Sequence, residues 1–267
     1  IHDESFIVVR NVIWNLTPEL KQAMWATLLD AACSDQRQIR ASVRYSLSDM
    51  HSQDFAEVYR KRIAAVEPER VRPGWIEGLG ETGTGEDVTD IEQFASSGNS
   101  RMRRAALRAI ASLDRSAASR RLVDALNDRS SRVRREAVRM LAAAHDDDEL
   151  DRVFQTLQSS DSELAARAAL RVFSRLRGWD AVPAILLAGT RDEHELRDRA
   201  AQYAATWMRR HGTYGWTMPV AATQARLVLA LDALGRSSHP VPRQYADSWA
   251  SLVEWAARVC GGKPSDR

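Results

Sequence analysis

Arginine is the residue type in this sequence that is best suited to bind another molecule. The chain holds 35 arginines beside three lysines, although its formal net charge is only +2. A guanidinium group is planar and binds carboxylate or phosphate groups with paired N–H donors, which an ammonium group does not. Between Arg101 and Arg139 there are 12 arginines and four acids, whereas the segment from Met140 to Ala166 has seven acids and one arginine. The first segment is therefore a candidate surface for an anionic partner.

Other patterns that could support chemistry have simpler interpretations. The segment from Gly78 to Gly83 has the glycine spacing of a dinucleotide-binding loop, but such a loop follows a strand. Here a helix precedes, and we interpret the glycines as its end. The acids from Asp146 to Glu149 could bind a hard cation, but acids are also favoured at a helix N-terminus. No histidine pair or serine elbow is present, so the sequence predicts no catalytic residue, no metal site, no cofactor and no enzyme.

The elements that must position the arginines are helices of a repeat. Val133, Ala137 and Leu141 recur every four residues, as on one face of a helix. Similar apolar triplets recur along the chain at intervals of 31 or 32 residues. Their anchors, the first residues of each triplet, are Val8, Ile39, Val71, Met102, Val133, Leu164 and Leu196. Further apolar stripes lie between the triplets, so each unit is predicted to be a pair of antiparallel helices.

This pattern resembles a known family. Asp128, followed by Val133–Arg134 and then by Ala137 and Leu141, resembles the HEAT repeat, in particular the short version of phycobilisome-lyase-like proteins. The resemblance covers most of residues 39–204 and implies an all-α fold, a right-handed α-solenoid of stacked HEAT-like antiparallel helix pairs.

The resemblance also implies a structural role for one arginine in each unit. In the family, the arginine that follows the anchor commonly pairs with the acidic turn residue of a neighbouring unit. Carried over by position, this structural ladder consists of Arg40, Arg72, Arg103, Arg134 and Arg197. Ala165 takes the arginine's place in one unit, so we expect the ladder to be broken or shifted there.

A second set of arginines is predicted to point away from the core. At 100° per residue, the second and sixth residues after an anchor lie opposite the apolar face. Three adjacent units share this pattern if one of them is counted from Ala165 instead of Leu164. The outward residues are Arg104, Arg108, Arg135, Arg139, Arg167 and Arg171. We expect a ridge on the concave side that binds an acidic protein or a nucleic-acid backbone; the alternative is a solvated face paired with nearby acids.

The repeat pattern weakens after Ala204. We predict a HEAT-like array over residues 1–210, an irregular helical cap over 211–260 and a flexible tail over 261–267. Four tryptophans of this region could cover the end of the core or, alternatively, form an aromatic binding platform. They are Trp207, Trp216, Trp249 and Trp255.

These patterns favour a non-catalytic binding scaffold. No apolar stretch reaches the roughly 18 residues that cross a bilayer, and two distant cysteines indicate a reducing environment, so we expect a soluble, cytoplasmic protein. Because the chain begins at Ile1, we also expect a fragment of a longer protein. Two alternatives stay open. One is an enzyme, since HEAT-like solenoids also build alkylpurine DNA glycosylases and phycobilin lyases, and the other is a sensing or docking domain of a larger protein.

Overall fold

The computed structural model describes residues 6–48, 54–143, 146–211 and 218–261. Within these ranges the chain forms sixteen α-helices joined by turns and short 3-10 segments, and it contains no β-strand. The chain divides into two compact units, residues 1–121 and residues 122–267. The prediction of an all-α fold is confirmed.

The first unit stacks helices through the predicted apolar stripes. Its described helices are α1 (Phe6–Trp14), α2 (Pro18–Ala23), α3 (Trp25–Ala32), α4 (Arg37–Leu47), α5 (Phe55–Ala64), α6 (Pro73–Thr82), α7 (Val88–Ala95) and α8 (Ser100–Leu113), and the division falls within α9 (Arg115–Asp124). α6 packs against both α4 and α8, while α5 packs against α6 and α7 against α8. The stripes that begin at Ile39, Val71 and Met102 are buried, so they form the core of this unit.

The second unit arranges its helices in two layers. They are α10 (Ser131–Ala143), α11 (Asp147–Ser159), α12 (Glu163–Phe173), α13 (Val182–Ala188), α14 (His194–His211), α15 (Ala221–Arg236) and α16 (Ala246–Val259). In one layer α12 contacts α10 and α14, and in the other α13 contacts α11 and α15. Every residue of α13 is buried, as expected for a helix that is apolar on all sides. None of the described helices is long and apolar enough to span a membrane.

Short polar side chains begin several helices. The side chains of Asn99, Asp146 and Ser162 accept hydrogen bonds from first-turn amides of α8, α11 and α12, at 2.9, 2.6 and 3.3 Å. These amides have no carbonyl partner within their helix, so each cap satisfies a donor that would otherwise need water. The caps fix where each helix starts.

The first predicted stripe is wrong by one residue. Val8 and Val12 on α1 are 45% and 43% exposed, whereas Val9 and Ile13 are buried. Both pairs are apolar and both are spaced by four residues, so the period of the pattern does not reveal which pair faces the core. The contact of α1 with α4 decides this.

The stripe of α12 is shifted in the same way. Leu164, the predicted anchor, is 46% exposed, whereas Ala165, Ala169 and Phe173 are buried. The buried stripe of this unit therefore begins at Ala165 and not at Leu164. Ala168 is buried as well, so α12 buries a wide face and exposes Leu164 in its first turn.

The glycines of α6 have a packing role that the sequence did not reveal. Gly78 and Gly80 lie inside the helix, and only Gly83 follows its end. A Cβ on Gly78 would lie 2.3 Å from the ring of Tyr59, and a Cβ on Gly80 would lie 2.4 Å from the Cα of Ala109 on α8. The interpretation of all three glycines as a helix terminus is therefore wrong, because two of them allow neighbouring helices to approach α6 closely.

We expect Gly80→Ala to lower the free energy of unfolding by roughly 1–3 kcal/mol, because the added methyl group would meet the backbone of α8. Gly235→Ala in α15 is the matched control, since nothing lies within 4 Å of a Cβ at that position. Alanine there should be neutral or stabilise by up to about 1 kcal/mol. Urea unfolding of both variants measures the difference, and equal effects would contradict the close approach of α6 and α8.

Candidate functional site

Four arginines of the predicted ladder bind the turn that precedes their own helix. Nη1 of Arg134 donates to the carbonyl oxygens six and five residues earlier, at 2.6 and 3.2 Å. Arg103 does the same at 2.7 and 3.1 Å, and Arg197 at 2.8 and 2.6 Å. Arg40 binds the carbonyl six residues earlier at 2.8 Å. We call this arrangement the turn clamp; it supplies a charged donor to carbonyls that lie outside any helix.

The turn clamp differs from the predicted ladder, in which each arginine pairs with the acidic turn residue of a neighbouring unit, and the ladder stays a prediction. Arg134 binds the backbone carbonyl of Asp128, and the Asp128 carboxylate accepts a hydrogen bond from the amide of Ser130 at 2.7 Å. Arg72 is exposed and makes no clamp within the described part of the chain. Its backbone is extended and Pro73 follows it at the start of α6, so Arg72 lies outside the helix that would orient its side chain.

The unit that has Ala165 in the arginine position receives a clamp from the following repeat. Arg191 donates from Nη1 to the carbonyl of Gln158 at 2.9 Å and from Nη2 to the carbonyl of Ser160 at 2.7 Å. Both carbonyls lie at the end of α11 and in the turn before α12. Arg191 thus binds the turn that Ala165 cannot bind, and the sequence did not identify it because it lies outside the repeated pattern.

Arg40 also belongs to a buried ion cluster in the first unit. Its side chain is 0% exposed, and its Nη2 atom lies 2.9 Å from Glu77 and 2.7 Å from Glu81 on α6. Arg44 contacts the second oxygen of Glu81 at 2.6 Å, and Arg108 of α8 contacts Glu77 at 2.9 Å. Three guanidinium groups and two carboxylates therefore link α4, α6 and α8.

The cluster keeps the Glu81 carboxylate ionised. Burial raises the pKa of Glu81, but the hydrogen bonds and charges of Arg40 and Arg44 outweigh burial, and the pKa lies below its ordinary value. A lowered pKa means that the stabilisation is present above the pKa of the unfolded chain and is lost as the pH falls through the folded-state pKa.

The six arginines predicted to form the outward ridge are divided between the two units. Arg104 and Arg108 lie on α8, Arg135 and Arg139 on α10, and Arg167 and Arg171 on α12. Arg108 pairs with Glu77, and Arg139 pairs with Glu136. The alternative of internal pairing therefore applies to part of the set, and a single ridge of six arginines stays a prediction.

Three of these arginines line one groove of the second unit. The groove lies between α10 and α12 and has a volume of about 570 Å³. Its residues are Ser131, Arg134, Arg135, Val138, Leu164, Arg167, Ala168, Arg171 and Arg175. We call it the arginine groove. None of these nine residues is acidic, and Arg175 was missed by the sequence because it lies beyond the end of α12, where helical counting stops.

Neighbouring acids neutralise only part of the charge in the arginine groove. Arg167 pairs with Glu163 on its own helix and with Glu195 at 2.6 Å. Arg171 and Arg175 are exposed and form no ion pair with any described residue. At least two guanidinium groups of the groove are therefore available to an anionic partner.

The acidic run at the start of α11 binds an arginine. Asp146 caps the helix, while Asp147 and Asp151 lie 3.2 and 2.6 Å from the guanidinium group of Arg226 on α15. The Arg226 side chain is only 3% exposed. Among the residues that the structure describes, no group of three His, Cys, Asp or Glu side chains could hold a metal ion. The partner of the acidic run lies too far along the chain for the sequence to reveal it.

Most of the C-terminal tryptophans pack inside the second unit. Trp207 is buried, its indole N–H donates to the carbonyl of Gly178 at 2.7 Å, and its ring centroid lies 5.4 Å from Trp179 and 6.1 Å from Trp255. Trp249 is buried as well. Burial of this kind is expected of a cap, yet the division into array, cap and tail stays a prediction. Trp216 and residues 262–267 of the predicted tail lie outside the described residues.

Comparison with known proteins identifies the repeat. No curated protein matches the chain. One similar solved structure comes from work that describes how Kap95p binding induces the switch loops of RanGDP to adopt the GTP-bound conformation. Its sequence is 15% identical to this chain and the TM-score is 0.42. The similarity covers 96% of this chain and 40% of that chain. This chain thus spans less than half of that one, and nothing about partners follows. The phycobilisome-lyase-like subtype stays a prediction. The family model of HEAT repeats matches residues 88–172, and the segment from α7 to α12 is therefore similar to HEAT repeats.

Proposed function

We propose that this protein is a non-catalytic binding scaffold and that its arginine groove binds an acidic partner. The observation that supports the proposal is a groove with five arginines and no acid among its lining residues. A groove of this kind attracts anions over a distance of about one Debye length, roughly 8–10 Å at ordinary ionic strength. Arg171 and Arg175 offer paired N–H donors to a carboxylate or a phosphate without first breaking an ion pair.

The groove is formed by two helices that contact each other. α10 and α12 pack against each other, and Arg134 is held by its turn clamp at the side of the groove. An arginine whose position is already fixed loses little conformational entropy when a ligand binds. HEAT repeats define the fold and leave the function to such local features, so the proposal is based on the groove and not on the family.

We expect the double variant Arg171→Glu/Arg175→Glu to bind acidic ligands at least about tenfold more weakly than the wild type, a change of about 1.4 kcal/mol. The variant replaces two attractive charges by two repulsive ones. Fluorescence anisotropy with labelled polyglutamate, duplex DNA and single-stranded RNA at two salt concentrations measures the loss. Circular dichroism should show an unchanged fold, because both side chains are exposed.

The matched control is Arg132→Glu/Arg177→Glu. Both residues are exposed, neither lines the groove, and the change in net charge is the same. The control should retain nearly all of the wild-type affinity. Equal losses in the two double variants would mean that ligands respond to net charge alone, and the groove would no longer be the site. A wild type that binds none of the three probes would also end the proposal.

A further inference from the structure

The floor of the arginine groove is apolar. Val138 and Ala168 are buried beneath it, and Leu164 stands at its edge with 46% of its surface exposed. A leucine in the first turn of α12 with this exposure contributes less to the core than a buried leucine does. Covering it with an apolar group from a partner would remove hydrocarbon surface from water, which is favourable. The groove therefore offers two kinds of contact, charged and apolar.

Three arginines of the groove follow one another along α12 and the turn after it. Arg167 and Arg171 are four residues apart on α12, which corresponds to a rise of about 6 Å, and Arg175 follows in the turn after the end of α12. Carboxylates on alternate residues of an extended peptide are about 6.6 Å apart, and those on successive turns of a helical peptide are about 6 Å apart. A short acidic peptide can thus contact two of these arginines at once.

Nucleic acid matches the groove less well than a peptide does. Proteins that bind single strands stack bases on aromatic side chains, and none of the residues that line the groove is aromatic. A phosphate backbone could contact the arginines, but it has no apolar group to cover Leu164. A peptide can supply carboxylates and an apolar side chain together.

From this combination we infer that the occupant of the arginine groove is an acidic protein segment that places an apolar side chain against Leu164 while its carboxylates contact Arg171 and Arg175. This inference rests on the proposed function and narrows it to one class of partner. Recognition by such a segment resembles the way in which acidic motifs dock on arginine clusters, with an apolar anchor in addition. The apolar anchor adds selectivity, because a polyanion without an apolar side chain cannot cover Leu164.

The test uses two labelled peptides, a run of glutamates with one leucine at its centre and the same run with serine in its place. The wild type should bind the leucine peptide about tenfold more tightly, which corresponds to about 1.4 kcal/mol. Leu164→Ser should remove this preference and leave the affinity for the serine peptide unchanged. Leu229→Ser, at a leucine of α15 that is 50% exposed, is the control and should keep the preference.

The possible outcomes distinguish a failure of this inference from a failure of the proposed function. Equal binding of both peptides by the wild type, together with loss of binding in Arg171→Glu/Arg175→Glu, would overturn the apolar anchor and leave the anion-binding groove standing. Tighter binding of duplex DNA or single-stranded RNA than of the leucine peptide would replace the protein partner by nucleic acid. If Arg171→Glu/Arg175→Glu binds every probe as tightly as the wild type does, both proposals are refuted.

Discussion

Arg40→Ala should lower the free energy of unfolding by about 3–5 kcal/mol, the cost that is typical of breaking a buried ion pair. The Arg40 side chain is completely buried, and it contacts Glu77, Glu81 and the carbonyl oxygen of Ser34. Alanine would remove the positive charge that compensates the carboxylates of Glu77 and Glu81. It would also leave the carbonyl oxygen of Ser34 without this donor. Denaturant unfolding followed by circular dichroism gives the change.

Arg37→Ala provides the control for this loss. Arg37 lies one turn earlier on α4 and approaches the same Glu81 carboxylate at 3.6 Å, but its side chain is 82% exposed. Exposed ion pairs contribute little, because water and salt screen them, so we expect a change below about 0.5 kcal/mol. Two variants of similar effect would show that Arg40 is as solvated as Arg37 and that the cluster is not buried.

Leu141→Ala should cost about 2–5 kcal/mol of unfolding free energy. Leu141 is fully buried as the last member of the stripe on α10, and alanine would remove apolar contacts and leave a cavity. The melting temperature and the urea midpoint should both fall, with far-ultraviolet circular dichroism still that of a helical protein.

Leu164→Ala tests the same chemistry at a position where the structure and the repeat pattern disagree. Leu164 is an anchor of the predicted stripe, but it is 46% exposed. We expect a loss of less than about 1 kcal/mol, as for most surface substitutions. A loss as large as that of Leu141→Ala would place Leu164 in the core and remove the exposed leucine from the arginine groove.

The sequence predicted the helices and most of the core because burial follows the helical period. Four-residue spacing identified the stripes that begin at Ile39, Met102 and Val133, all of which are buried. The pattern failed where two adjacent stripes are both apolar, as on α1 and α12, since their period is identical and only packing distinguishes them. It also could not show that Gly80 allows α8 to approach α6 closely, because that approach depends on where the neighbouring helix lies.

The candidate site was predictable only in part. Helical counting placed Arg135, Arg167 and Arg171 on one side of their helices, and these residues line the arginine groove. It gave no sign of Arg175, which follows the end of α12, or of Glu195, which pairs with Arg167 from α14. Contacts between separate helices depend on where the chain returns in space, and local periodicity carries no such information.

The turn clamp bears on how the number of repeats could change. Arg103, Arg134 and Arg197 bind carbonyls only five or six residues before them, so a duplicated copy of such a segment would bring its own clamp and form its turn without help. The turn before α12 is different, because its clamp comes from Arg191. Deletion of the segment that contains Arg191 would leave carbonyl groups exposed in the repeat before it. We therefore expect a viable deletion or duplication to keep these two segments together, whereas a self-clamped repeat can be added by itself.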